Sequence, residues 1–179
     1  MRLRTIGENY LRAAPPILSV GALVFGLLRS DRVVLGYGVL AVAFNALNLG
    51  LKRAVAAADP PRDSWLRRPA ALPAAGCGEF PGPSCIGDDT IGMPSGHAQF
   101  AAMFATYFTL YLAQGPWSGA AALKMLLCWV IAGLVMAQRL QWGNAAACHT
   151  PAQVAAGAAF GCVLGAISYA AVVKTDAWW

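Results

Sequence analysis

The stretch GMPSGHAQFAAMFATYFTLYLA, residues 92–113, passes from a polar turn directly into a long apolar run. A proline and a serine just before the apolar residues are helix-start signals, so the sequence predicts a helix that begins here. His97 then lies in the first helical turn, beside backbone N–H groups that have no partner inside the helix. The cluster CHTPAQ, residues 148–153, opens the last apolar run in the same way and carries His149, the other histidine of the chain.

The composition favours a membrane protein. Of the 179 residues, 58% are hydrophobic and 12% are charged, about half of the charged share that soluble domains usually have. Five apolar stretches follow one another, at residues 13–28, 33–51, 98–113, 117–137 and 150–173. A transmembrane helix needs about 20 residues. The second, fourth and fifth stretches are long enough, whereas the first and third need flanking residues. We therefore predict an all-α integral membrane bundle of about five transmembrane helices, forming one domain over residues 1–179.

The one long hydrophilic stretch, residues 52–96, separates the second and third apolar stretches. It is rich in proline and glycine, and proline at this density excludes a continuous helix. We therefore expect a loop or cap that carries part of the active site. Cys77 and Cys85 lie in this loop and can form a disulfide if the loop faces an oxidising compartment. No CxxC pair occurs among the five cysteines, so no zinc site is expected.

Counting the helices places the polar groups on one membrane face. If the helices alternate in direction, the second ends at Lys52, the fourth ends at Arg139, and the third and fifth begin at His97 and His149. That face would hold nine of the 13 Lys and Arg residues, and the positive-inside rule then favours the cytoplasm for it. No basic run with interleaved aromatic residues occurs, so the net charge of +5 does not indicate a nucleic-acid partner.

The turn around His97 is suited to binding phosphate. Backbone N–H groups at a helix start, together with the positive end of the helix dipole, form an anion site. Gly96 lets an anion come close to the backbone, and the Ser95 hydroxyl adds a donor. His97 in the same turn can deliver a proton to a departing phosphate oxygen. The alternative is a plain helix cap with a histidine at the membrane interface.

The second cluster offers a nucleophile. Gln153 follows His149 by four residues, a spacing that stacks two side chains on one helical face. The amide can then hold one ring nitrogen while the other attacks phosphorus. Lys52 and Arg139 end apolar helices on the same face and can bind phosphate oxygens. The alternatives are a capping role for the histidine and snorkelling to the interface for each cation.

Taken in order, these residues resemble the type-2 phosphatidic acid phosphatase family, whose pattern is KxxxxxxRP, PSGH and SRxxxxxHxxxD. The resemblance covers roughly residues 45–165. The segments GMPSGHAQF and HTPAQV are closer to the dolichyl-diphosphatase branch of that family, where GMPSxHxQF and HTxxQV are typical. In that branch a glutamine replaces the usual aspartate.

The resemblance implies an enzyme that needs neither a metal ion nor a cofactor and acts on a membrane lipid. His149 would attack the terminal phosphorus of a polyprenyl or dolichyl diphosphate to form a phosphohistidine, and His97 would protonate the leaving oxygen. Gln153 would fix the tautomer of His149. The resemblance also implies a set of groups that hold the phosphoryl oxygens: Lys52, Arg62, Ser95, Gly96 and Arg139.

The phosphate-binding part departs from the family pattern. Where the pattern has Arg-Pro after Lys52, this chain has an Asp-Pro pair, and the nearest arginine is Arg62. Either an insertion lets Arg62 serve, or this ligand is lost. Arg139 and His149 are separated by nine residues instead of the family's shorter spacing. The difference is close to one helical turn. If the fourth helix extends by one turn, the Arg139 side chain therefore stays on the same face of that helix.

Two other functions remain open from the sequence. The same chemistry fits phosphatidate or phosphatidylglycerol phosphate as the substrate. The missing Arg-Pro pair instead fits a catalytically impaired relative that binds lipid headgroups, although both histidines and Lys52 are retained.

Overall fold

The computed structural model describes residues 10–11, 13–61, 64–68, 91–141 and 148–176, and the regular secondary structure of these residues is helical. Their helices are α1 (Ala14–Arg29), α2 (Arg32–Ala57), α3 (Gly96–Ala113), α4 (Gly119–Gln141) and α5 (Pro151–Asp176). Extended residues pair in this part of the chain at an isolated bridge between Arg67 and Ile91. The all-α prediction is confirmed.

Three helices are long and apolar enough to cross a membrane: α2, Gly119–Leu140 of α4 and Pro151–Val173 of α5. They coincide with the three apolar stretches that the sequence marks as long enough. The other two, α1 with 16 residues and α3 with 18, are the stretches that the sequence marks as short. At 1.5 Å per residue they span about 24 and 27 Å, slightly less than the roughly 30 Å of a bilayer core. The chain is an integral membrane protein.

Two helix ends differ from the apolar stretches in the sequence. α2 continues to Ala57, six residues into the predicted loop, because residues 54–57 contain only alanine and valine and the first proline is Pro60. α4 continues to Gln141 and therefore holds Arg139 in its last turn. This is the extension by one turn that the wide spacing between Arg139 and the next motif requires.

α3 lies at the centre of the bundle. It packs mainly against α5 and α4, and α1 and α2 form a hairpin beside them. Half of its residues are buried, whereas large apolar side chains of α1 and α4, such as Leu28 and Leu126, are exposed. Exposed apolar side chains on these helices fit contact with lipid. The polar start of α3 consequently lies inside the protein and not at its lipid-facing surface.

The backbones of α3 and α5 come unusually close. Gly157, Gly161 and Gly165 follow one another at every fourth residue of α5, and a β-carbon at Gly161 would collide with the carbonyl oxygen of Gln99 in α3. Small residues at this spacing let two membrane helices approach. The close contact fixes the starts of α3 and α5 relative to each other.

The opposite end of α3 is tied to the α1–α2 hairpin. Asp31 caps α2, because its Oδ1 accepts hydrogen bonds from the backbone of Val33 and Val34, both at 3.0 Å. Tyr111 donates to Oδ2 of Asp31 at 3.1 Å, and Tyr107 donates to the carbonyl oxygen of Val33 at 2.6 Å. These bonds hold the central helix against the hairpin at the face away from the two histidines.

Candidate active site

The two histidines and one arginine come together where three helix ends meet. His97 lies in the first turn of α3, Arg139 in the last turn of α4, and His149 just before α5. Their side chains are only 7%, 1% and 2% exposed, respectively. Ionisable side chains are seldom buried to this extent unless they are paired or functional. The structure thus brings together residues that the sequence places on one membrane face.

Arg139 connects the two histidines. Its Nη2 donates to Nε2 of His97 at 2.5 Å, and its carbonyl oxygen accepts from the backbone N–H of His149 at 3.2 Å. Because a guanidinium group can only donate, Nε2 of His97 is the acceptor, and a neutral ring then carries its proton on Nδ1. A substitution at Arg139 would therefore remove the donor to the His97 imidazole, whereas the backbone bond to His149 would remain.

His149 is held in the neutral form. Its pKa is lowered from 6.5 to about 2, first by burial and then by the positive charges of Arg68, Lys52 and Arg139, whereas Gln153 acts in the opposite direction. The Nδ1 atom of the ring is buried and has no hydrogen-bond partner. The neutral imidazole is the nucleophilic form of histidine.

Arg68 is a site residue that the sequence analysis missed. Its Nη1 donates to the carbonyl oxygen of Cys148 at 3.4 Å, immediately before His149, and its charge has the largest effect on the pKa of that histidine among the cations. The sequence did contain a signal, since Arg68 and the next residue form an Arg-Pro pair. The expected Arg62 lies outside the described residues.

The neighbouring Arg67 has a different, structural position. Its guanidinium forms an ion pair with Asp59 at 2.8 Å and donates through Nε to the carbonyl oxygen of Pro60 at 2.8 Å. The Asp-Pro pair at the expected place of Arg-Pro thus anchors the segment that carries Arg68. The anchored residues 64–68 present Arg68 near His149.

Ser95 and Gly96 lie directly before His97. Ser95 is fully buried, its Oγ has no hydrogen-bond partner, and it makes no cap bond to α3. A buried hydroxyl that caps nothing calls for an explanation, and a donor for a phosphoryl oxygen is one. Beside Gly96, Asn48 of α2 donates to Oε1 of Gln99 at 2.6 Å, which fixes α2 against the start of α3.

Gln153 directs its amide to the backbone. Its Oε1 accepts from the N–H of Thr150 at 3.1 Å, while the Thr150 hydroxyl accepts from the N–H of Gln153 at 3.3 Å. Its Nε2 donates to the carbonyl oxygens of Trp65 and Arg67, both at 2.7 Å. Gln153 also forms a side-chain hydrogen bond with His149, which acts to raise the pKa of that histidine, although His149 precedes the helix and does not belong to its first turn.

Cys148 is disulfide-bonded, so it has no thiol for nucleophilic chemistry beside His149. Cys128 and Cys162 are free thiols. The predicted pair of Cys77 and Cys85 lies outside the described residues. Among the described residues, no three His, Cys, Asp or Glu side chains are grouped so that they could hold a metal ion.

Comparison with known sequences identifies the family. The sequence profile of the PAP2 superfamily matches residues 33–176, which is most of the chain and includes α2 to α5 and the site between them. The chain belongs to the PAP2 superfamily. Lipid phosphate phosphatase gamma of Arabidopsis thaliana is similar in sequence, 43% identical over 82 residues.

That match covers 44% of this PAP2 chain and 34% of the plant protein, so the chain matches about a third of the relative's length. No solved structure matches this PAP2 chain.

Proposed function

We propose that this PAP2 protein is a membrane lipid phosphatase that hydrolyses a polyprenyl diphosphate through a phosphohistidine intermediate. The observation that carries the proposal is the neutral, buried His149 under the charges of Arg68, Lys52 and Arg139. Cations gathered around a neutral imidazole can bind the oxygens of an anionic group. A phosphoryl group supplies several negative charges at this place, which suits the family's chemistry.

In the first step, His149 attacks the terminal phosphorus, so that an N–P bond forms while the bond from phosphorus to the leaving oxygen breaks. Once Arg139 has released Nε2 of His97, that nitrogen takes up a proton from solvent, and the resulting imidazolium donates it to the leaving oxygen. In the second step, water attacks the phosphohistidine and gives a proton to His97. The N–P bond breaks, inorganic phosphate leaves, and both histidines return to their starting states.

The positive groups act on the charge that moves during transfer. Arg139 and Arg68 can each bind phosphoryl oxygens through two N–H groups, and the Ser95 hydroxyl can donate to a third oxygen. Once phosphoryl oxygens take the donors of Arg139, Nε2 of His97 is released from its bond to that guanidinium. The same displacement therefore binds the substrate and prepares the acid.

Three observations support a phosphorylated lipid as the substrate, and the first of them points to a diphosphate. GMPSGHAQF and HTPAQV resemble the dolichyl-diphosphatase branch, and the plant relative is named a lipid phosphate phosphatase. In addition, only 11% of the apolar window of α4 is buried, so this helix presents a lipid-facing surface beside Arg139. A lipid can reach the site laterally while its phosphates stay at the polar face.

The test is phosphate release from a panel of polyprenyl diphosphate, polyprenyl phosphate, phosphatidate and phosphatidylglycerol phosphate, in detergent with EDTA present. We expect the diphosphate to be hydrolysed fastest, and His149→Ala and His97→Ala to lose activity. Arg53→Ala is the control, because this exposed cation is the direct neighbour of Lys52.

Full activity of purified His149→Ala would contradict the phosphohistidine mechanism. A preference for phosphatidate or phosphatidylglycerol phosphate would move the substrate to the glycerolipids. A folded wild type that hydrolyses none of the four lipids, yet binds them, would favour the catalytically impaired relative.

A further inference from the structure

Gln153 holds two parts of the protein together through one amide. With Thr150 it forms a capping box, in which the threonine hydroxyl and the glutamine Oε1 each accept a backbone N–H at the start of α5. Its two Nε2 hydrogens go to the carbonyl oxygens of Trp65 and Arg67, both at 2.7 Å. The side chain is fully buried and uses all of its strong donor capacity.

The short segment 65–67 is fixed at each of its carbonyl groups. Gln153 binds the first and the third, and the carbonyl oxygen of Leu66 between them accepts from the N–H groups of Gly92 and Met93 at 2.9 and 3.2 Å. Arg68 is the next residue along the chain. The position of its guanidinium beside His149 therefore depends on the hold that Gln153 has on this segment.

We propose that Gln153 is a positioning residue for Arg68: its amide anchors segment 65–67 to the start of α5 and so sets the arginine beside the nucleophile. The inference rests on the proposed function, in which Arg68 binds phosphoryl oxygens. This role requires the two N–H donors of the amide, which a carboxylate at position 153 lacks.

Replacing the amide of Gln153 by a carboxylate distinguishes this positioning role from direct support of His149. A glutamate at position 153 can still accept from Thr150, so the capping box remains. Its second oxygen, however, would face the carbonyl oxygens of Trp65 and Arg67, where acceptors repel each other. A group that supports the histidine would behave in the opposite way, because a carboxylate stabilises an imidazolium better than an amide does.

The experiment compares Gln153→Glu with wild type in phosphate release. We expect kcat/KM to fall about tenfold or more, because two buried hydrogen bonds are replaced by repulsion. In an Arg68→Ala background the same change should lower kcat/KM little further, because the side chain that Gln153 positions is already absent. The ratio of variant to wild type should recover as the pH falls and the buried glutamate takes up a proton that it can donate.

Gly92→Ala disturbs the same amide from the other side. A β-carbon at Gly92 would lie 2.5 Å from Oε1 of Gln153, so the amide must shift, and we expect the same loss of kcat/KM without any change of charge. Gly133→Ala is the matched control, because nothing lies within 4 Å of the β-carbon it adds.

Limited trypsin digestion provides a readout that does not depend on activity. Trypsin can cut after Arg67 but not after Arg68, which precedes a proline. We expect faster cleavage after Arg67 in both Gln153→Glu and Gly92→Ala than in wild type and Gly133→Ala. If wild type proves inactive on every lipid, the proposed function fails, while the digestion still tests the anchoring.

Three results would overturn the positioning role. They are an equal or higher kcat/KM of Gln153→Glu, an undiminished effect of that change in the Arg68→Ala background, and unchanged cleavage after Arg67.

Discussion

At the scale of the residue, the site separates two imidazoles that have the same intrinsic chemistry. His149 is buried beside three cations, which lowers its pKa to about 2 and keeps the ring neutral. His97 has an arginine donor on Nε2, which is displaced only when an anion competes for the guanidinium. In the proposed mechanism, the neutral ring of His149 attacks phosphorus, and His97 becomes available for proton transfer when phosphate binds.

The protonation of His149 can be measured directly, because the chain has only two histidines. With ¹³C-labelled histidine, and with His149→Ala to assign the signals, we expect the His149 signal not to titrate between about pH 8 and pH 5. Its folded pKa lies below the unfolded value of 6.5, so the unfolded state binds more protons between about 2 and 6.5. This contribution to stability is complete above pH 6.5 and is lost as the pH falls. A midpoint near 6.5 would contradict this account.

Arg68→Ala should lower kcat/KM by about a hundredfold, as expected for the loss of one charged donor to the transferring group. The measurement is phosphate release by Arg68→Ala and by Arg53→Ala, an exposed cation outside the site. A similar decrease in both variants would mean that Arg68 has only a general electrostatic effect.

Of the residues that the structure brings together around His149, the sequence pointed to some and missed others, for physical reasons. The histidines, Ser95 and Arg139 were found because each lies next to a helix end, which hydropathy reveals. Arg68 was missed because the family pattern places its arginine much closer in sequence to Lys52 than Arg68 is in this chain. The contacts of Gln153 were missed because they connect segments far apart in sequence, and no spacing rule reports such contacts.

At the scale of the element, the contact between α3 and α5 aligns the two histidines. The β-carbon of Gly161→Ala would collide with the backbone of Gln99, and overpacking of this kind costs about 1–3 kcal/mol. We expect a lower unfolding temperature in detergent together with reduced kcat/KM. Gly133→Ala has the same chemistry on an open face of α4 and should lower neither, because alanine is the better helix former. Equal unfolding temperatures for the two variants would show that α5 can move aside without loss.

Hydropathy predicted the helices but not their packing. The three long spans stand out as apolar runs, and the two short helices were correctly marked as short. The glycines of α5 contribute little to hydropathy. Their alignment on one helical face therefore does not predict which helix packs against them. The same applies to the central position of α3, which is the least typical span because His97 and Gln99 lie in its first turn.

At the scale of the whole molecule, two indications of sidedness disagree. The excess of Lys and Arg on the face of the histidines favours the cytoplasm. The disulfide at Cys148, directly before His149, favours an oxidising compartment. Cations that act on the nucleophile, such as Lys52, Arg68 and Arg139, are required by the site wherever it faces. They therefore weaken the charge count as an indicator of topology, and we expect the active face to lie outside the cytoplasm.

Labelling with an impermeant maleimide in intact cells tests this expectation, in a variant that lacks the free thiols of Cys128 and Cys162. Three of the five cysteines then remain, and one disulfide leaves a single thiol. We expect at most one label before treatment with an impermeant reductant and three after it. Labelling only after the cells are permeabilised would place the site in the cytoplasm, as the charge count indicates. Cys148→Ser should also lower kcat/KM, because the disulfide restrains the residue next to the nucleophile.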